Sequence, residues 1–257
     1  MGKLINRTIC SFFFLLPAFA GLQAGNPVSK FNIVFIGNSI TYGAGLQNPS
    51  TQAPPAIVAK YLNDHQCRVN YANCGVSGST TVDFLPVSHN LYPRVVKAAD
   101  TLYHKGVPLF FSITIGTNDS AIKGPNGAPV SPDNYRNNLL TIIDSLIRRY
   151  PQSHIVVHQP IWYSPNTHNG ALYLAEGLTR LQSYTPEIIA LSKLRPNRVF
   201  VGDRKAFRFF KQNHLKYLSP EKGNSGTFYL HPNVLGATKL GEFWAIALKE
   251  DAQRIDK

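Results

Sequence analysis

Five short runs, at residues 31–36, 68–73, 109–115, 155–159 and 198–202, alternate with longer segments of helical periodicity. Most of these runs are nearly all apolar rather than alternating, the composition required of strands covered on both faces. The helical segments fall near 53–64, 91–104, 132–150, 172–194 and 235–251. The clearest is 132–150, where Ser131 can cap the first turn and Pro132 suits it. Tyr135, Leu139, Ile142, Leu146 and Tyr150 then make one stripe, and Pro151 stops the helix. Strand–helix alternation with right-handed crossovers gives a parallel sheet between two helical layers. The expected fold is therefore α/β, a three-layer α/β/α sandwich forming one domain over residues 25–257.

The first 24 residues read differently. Lys3 and Arg7 precede an apolar run at 9–19 that is too short to cross a bilayer, and Ala18-Phe19-Ala20 fits a small-x-small cleavage site. This is the pattern of a signal peptide over residues 1–24, cut after 20 or 24, and it places the mature chain in the periplasm or outside the cell. No later segment is apolar enough to span a membrane. Past the leader the only cysteines are Cys67 and Cys74. They bracket a predicted strand, which holds their α-carbons ~20 Å apart, beyond the ~7 Å reach of a disulfide. Two buried free thiols are expected.

The formal charge is +12, but the basic residues are scattered. The densest stretch, 204–222, mixes them with Phe207, Phe209, Phe210 and Tyr217. With neither a nucleic-acid-binding motif nor a compact basic block, it reads as a solvated face, and no nucleic-acid partner is expected. The glycines after the first run lack the spacing of a dinucleotide loop, and there is no phosphate-loop lysine motif. His154 and His158 would stand ~13 Å apart along one strand, too far for one ion. No cofactor and no metal are expected.

Four segments carry chemistry, and all fall at the carboxyl ends of predicted strands, where open parallel sheets bind ligands. Gly37-Asn38-Ser39-Ile40-Thr41 follows the first strand, and Asn73-Cys74-Gly75-Val76-Ser77-Gly78 the second. Gly116-Thr117-Asn118-Asp119 follows the third, and His231-Pro232-Asn233 precedes the last helix. A hydroxyl at a strand-to-helix corner is exposed beside unpaired backbone N–H groups. Ser39 is thus placed to attack an acyl carbon and His231 to carry its proton. The N–H groups of Ser39 and Gly75 and the Asn118 amide are candidate oxyanion donors.

These four segments resemble blocks I, II, III and V of the SGNH (GDSL-like) hydrolases, in the family's order. The resemblance implies a flavodoxin-like sheet of order 2-1-3-4-5 and serine-dependent ester hydrolysis without a metal. It assigns Ser39 as nucleophile, His231 as base, and Gly75 and Asn118 as oxyanion donors. Two positions depart from the family pattern. Asn38 stands where an aspartate is usual, and Phe228 occupies the place, three residues before the histidine, of the acid that orients the imidazole. Three explanations stay open: a Ser39–His231 dyad held by a backbone carbonyl; a carboxylate from elsewhere, with Glu221, Asp203 and Glu176 as candidates; or a binding protein without catalysis.

The alcohol and acyl groups are the least legible. Trp162 and Tyr163 follow the fourth strand and Tyr229 is two residues from the base; such rings suit stacking on sugars or, equally, wedging loops. Export and a small-acyl site point to deacetylation of carbohydrate by a monomer. A lysophospholipase or thioesterase, and a non-catalytic carbohydrate-binding module, are the alternatives.

Overall fold

A computed structural model describes residues 1–2 and 29–255. Nearly all of the expected signal peptide lies outside those residues. The chain runs through β1 (Ser29–Gly37), the one-turn helices α1 (Ser39–Tyr42) and α2 (Pro49–Gln52), then α3 (Pro54–Asp64) and β2 (Cys67–Asn73). It continues through α4 (Tyr92–Leu102), β3 (Leu109–Thr114), α5 (Pro132–Arg149), β4 (Ser153–Val157), α6 (Leu174–Leu194) and β5 (Val199–Val201). The final part is α7 (Lys205–Tyr217), a hairpin of β6 (Leu218–Gly223) and β7 (Gly226–Pro232), and α8 (Val234–Ile255).

The first five strands form one sheet of order β2-β1-β3-β4-β5, parallel throughout. That is the sandwich and the strand order expected. The period of two along a strand sorts its side chains between the layers. Val34 and Ile36 of β1 pack with Val95 of α4, Leu139 of α5 and Leu181 of α6. Phe31, Ile33 and Phe35 point the other way, to Val58 of α3, Phe210 of α7 and Trp244 of α8. Burying each such large apolar side chain contributes ~1.5–3 kcal/mol, so both faces of β1 hold the sheet between its helices. Cys67 and Cys74 are free and buried, as their spacing requires, and burial pushes both thiols up.

Besides the one-turn α2, the helix α7 and the hairpin were not expected. The hairpin is antiparallel and stands apart from the main sheet. It packs at the carboxyl end of β1, reaching α1 and α8. No helix among the described residues is long and apolar enough to cross a membrane.

Candidate active site

Ser39 sits where β1 turns into α1. A side chain at Gly37 would collide with Thr41 Oγ1 and the Thr114 carbonyl, so the corner closes only around glycine. Asn38 is extended and caps α1, its Oδ1 accepting the Ile40 N–H at 3.0 Å. An amide oxygen caps as well as a carboxylate does, which explains why asparagine serves where the family usually has aspartate. Ser39 itself is 9% exposed. Its backbone N–H, the first of the helix, has no partner among the described residues.

The hairpin delivers the candidate base. His231 on β7 places Nε2 2.9 Å from Ser39 Oγ. On its other side Nδ1 lies 3.0 and 3.1 Å from the two carboxylate oxygens of Glu221 on β6. The His231 backbone N–H also donates to Glu221 Oε1, at 3.2 Å. A carboxylate only accepts, so Nδ1 carries the ring proton and Nε2 presents a lone pair to the serine hydroxyl. Among the three acids considered, geometry singles out Glu221. Asp203 instead accepts from the N–H groups of Lys205 and Ala206, capping α7, and Glu176 pairs with Arg180 at 2.7 Å. The acid comes from across the ladder: Glu221 is the register partner of Phe228, the position that lacks it.

A cavity of about 470 Å³ opens at this point, lined by Ser39, Ser77, Gly78, Asn118, Tyr173 and His231 among others. Gly75, expected as an oxyanion donor, does not line it. Its N–H is taken by Asn73 Oδ1 at 2.9 Å, and a side chain there would strike the backbone of Thr41 and Tyr42. Glycine at 75 therefore lets the second block press against α1, and does not face the cavity. Gly78 is the glycine at the cavity wall: it is exposed, has φ +81°, and its N–H has no partner among the described residues. Sequence alone offers two glycines three residues apart; only the backbone bonding separates them. Asn118 lines the cavity and is 4% exposed. One N–H of its amide goes to the Ser79 carbonyl at 2.8 Å, while its Oδ1 accepts from the Tyr173 hydroxyl at 2.6 Å. Tyr173 carried no signal in the sequence, because its partner is 55 residues away.

The aromatic residues expected to touch substrate do not line the cavity. Trp162 is 6% exposed and packs on His214, ring centres 4.9 Å apart. Tyr163 is fully buried, its hydroxyl 2.9 Å from Ser120 Oγ. Tyr229 is half-buried against the same His214, and its backbone N–H donates to Ser164 Oγ at 2.8 Å. All three wedge the rim loops together through tilted or edge-on contacts with neighbouring rings. A second serine–histidine contact, Ser112 Oγ to His158 Nε2 at 3.0 Å, is fully buried. There His158 Nδ1 accepts the Asp203 N–H, so Nε2 must donate to the serine. Burial pushes the imidazole down to about 3. That pair is structural.

Beside the site, Asp119 is sealed from solvent. One carboxylate oxygen accepts from the Thr81 N–H at 2.9 Å and from the Thr81 hydroxyl, while the other has no partner. Burial pushes its carboxyl up to about 6, against those hydrogen bonds. An unfolded aspartate titrates at ~3.9, so the folded chain binds this proton more tightly. The resulting stabilisation is complete below about pH 4 and disappears as pH rises through about 6. In melting curves from pH 4.5 to 7.5, Asp119→Asn is expected to flatten this fall relative to wild type. Parallel curves would show that Asp119 titrates normally.

Residues 35–239 match the GDSL-like lipase/acylhydrolase family, and the chain belongs to it. No curated protein matches the chain significantly. Among solved structures, one described as a GDSL-like lipase from Parabacteroides merdae is 19% identical with TM-score 0.60, over 87% of this chain and 98% of that one. A catalytic mutant of an acetylxylan esterase from Geobacillus stearothermophilus is 19% identical, TM-score 0.58, over 88% and 96%. A carbohydrate acetylesterase family member from Sinorhizobium meliloti is 14% identical, TM-score 0.57, over 87% and 99%. At these identities the likeness to solved structures is one of fold.

Proposed function

We propose that this chain is an exported serine esterase that removes short acyl groups, acetyl foremost, from carbohydrate, using Ser39, His231 and Glu221. The observation that carries the reading is the unbroken line from Glu221 through His231 to Ser39 Oγ, with successive contacts of 3.0 and 2.9 Å. In the first half-reaction Ser39 Oγ attacks the ester carbonyl and His231 Nε2 takes its proton. The imidazolium then protonates the departing alcohol, leaving an acyl-serine. Water, deprotonated by the same nitrogen, attacks that ester and releases the acid, returning the proton to Ser39. Glu221 holds the Nδ1–H tautomer throughout and stabilises the transient imidazolium. The N–H groups of Ser39 and Gly78 and the free N–H of Asn118 are the candidate donors for the developing oxyanion, each worth ~3 kcal/mol of barrier in comparable sites.

The apolar part of the cavity lining is short-chained, Ala44 and Ala171 with Leu230 and Pro125, which suits a small acyl group. Ser77 and Asn169 add polar groups to the lining, which suits a hydroxylated alcohol. The acetylxylan esterase and carbohydrate acetylesterase of similar fold support the same substrate class. The test uses protein recovered from the exported fraction, which should begin at Gly21 or Gly25. With it, kcat/KM for p-nitrophenyl acetate should exceed that for the octanoate at least ~10-fold, a discrimination within the reach of pocket shape. Acetate should also appear from acetylated xylan or mannan. Preference for octanoate would favour a lysophospholipase or thioesterase, and glycan binding without turnover would favour a binding module.

A further inference from the structure

We propose that Tyr173 is a positioning residue of the ester-hydrolysing site, its hydroxyl locking the Asn118 amide so that one N–H stays turned to the cavity. This rests on the esterase reading and deepens it. A side-chain amide has two orientations that differ only in which end carries the donors. At Asn118 both ends are spoken for: Oδ1 receives the Tyr173 hydroxyl at 2.6 Å, and Nδ2 gives one hydrogen to the Ser79 carbonyl at 2.8 Å. Turning the amide over would set Oδ1 against the Ser79 carbonyl, two acceptors facing each other. The Ser79 carbonyl, which only accepts, therefore sets which way round the amide lies, and the Tyr173 hydroxyl, by donating to Oδ1, holds it in that orientation. The second N–H on Nδ2 is then the only part of the amide left for the cavity that Asn118 and Tyr173 both line. Accepting a strong hydrogen bond at the carbonyl end also polarises the amide and strengthens its N–H as a donor.

Tyr173 is held where this requires. It is 3% exposed and meets Tyr163 edge-on at 5.4 Å. Burial, with the Glu221 carboxylate nearby, pushes its phenol far above the ordinary range, so the hydroxyl keeps its proton to donate. The next residue, Leu174, has φ +51°, a conformation that costs a non-glycine residue energy and persists only where its surroundings impose it. Here the N–H groups of Tyr173 and Leu174 both donate to the Thr167 carbonyl, at 3.2 and 3.3 Å.

The loop that presents Tyr173, residues 164–173, is bonded on two sides. Toward the hairpin, the Ser164 N–H donates to the Tyr229 carbonyl at 2.9 Å and Asn166 Nδ2 to the Thr227 carbonyl at 2.8 Å. Toward the oxyanion segment, the Ile122 N–H donates to the Leu172 carbonyl at 2.6 Å, and Leu172 returns a bond to Lys123 at 2.8 Å. One loop thus ties the strand carrying His231 to the segment carrying Asn118, and Tyr173 is its contact with the reacting groups' surroundings.

The experiment is a double-mutant cycle on p-nitrophenyl acetate, with kcat and KM measured for wild type, Tyr173→Phe, Asn118→Ala and the double variant. Phenylalanine keeps the ring, and a melting curve checks that the fold is retained. Tyr173→Phe should lower kcat ~10-fold, the worth of one good hydrogen bond, with KM within ~2-fold. Asn118→Ala should lower kcat ~10²-fold or more. In the Asn118→Ala background, Tyr173→Phe should cost less than ~2-fold, because the group it positions is gone. A Tyr173→Phe kcat equal to wild type overturns the proposal, as does an undiminished ~10-fold loss in the Asn118→Ala background, which would mean a general structural role. A wild-type protein that hydrolyses no ester sinks the esterase reading itself; turnover that only Tyr173→Phe leaves untouched sinks the role of Tyr173 alone.

Discussion

Ser39→Ala is expected to lower esterase turnover by ~10⁴-fold or more, the scale of loss when a serine hydrolase loses its nucleophile, and to leave the fold intact. The second half of that expectation follows from what the side chain does. Ser39 Oγ has one hydrogen-bond partner among the described residues, His231 Nε2. The structural duties at this position belong to the backbone, whose carbonyl accepts from the N–H groups of Gly43 and Ala44, both at 2.9 Å. Alanine keeps that carbonyl, keeps the first-turn N–H, and suits a helix. The thermal midpoint should therefore move by no more than a surface substitution moves it, ~0.5 kcal/mol in stability. Initial rates on p-nitrophenyl acetate and a melting curve on the same preparation separate the two effects. Turnover that survives Ser39→Ala in a folded protein would remove Ser39 from the chemistry.

The strands of the sheet could be read from the sequence because a strand covered on both faces has to be apolar almost throughout. Residues 31–36, 109–115 and 155–159 have that composition, and they fall on β1, β3 and β4. The serine, the histidine and Asn118 were equally legible, since each follows from its place at the end of an element. What escaped depends on pairing rather than composition. In α7 only Ala206 and Phe210 are buried, too narrow a stripe to stand out from the basic residues around it. In β6, Pro220 argues against a strand, and nothing local reveals that Glu221 will lie opposite Phe228. Gly75 and Gly78 look alike in sequence and are told apart only by backbone conformation, packing and where their N–H groups point. Trp162 and Tyr163 lie at the rim as expected, but their exposure depends on whether α7 and the loop after Asn118 cover them, which spacing along one chain does not encode.

The hairpin register is also the source of the second large expected effect. Glu221→Gln should lower kcat by ~10³–10⁴-fold with little change in KM, as loss of the acid does in other serine hydrolases. Glutamine is nearly the same shape, so packing is preserved, but it carries no charge to stabilise the imidazolium. Its amide can also turn its NH2 group toward Nδ1, which moves the ring proton to Nε2 and leaves no lone pair for the Ser39 hydroxyl. Asp203→Asn and Glu176→Gln should stay within a few-fold of wild type, because neither carboxylate is bonded to His231. Near-normal turnover of Glu221→Gln would restore the simpler Ser39–His231 dyad. Returning the acid to its usual place should not rescue the variant. Phe228 is 1% exposed and packs among the core residues between the sheet and α4–α6. Phe228→Asp in the Glu221→Gln background would remove that ring, at ~3–5 kcal/mol, and bury a carboxylate in hydrocarbon. The acid sits at 221 because the side chain there reaches across from β6 to the imidazole, while Phe228 opposite it in the ladder turns into the core. With phenylalanine filling the core at 228, only position 221, half open to water with its side chain 28% exposed, can hold a charge.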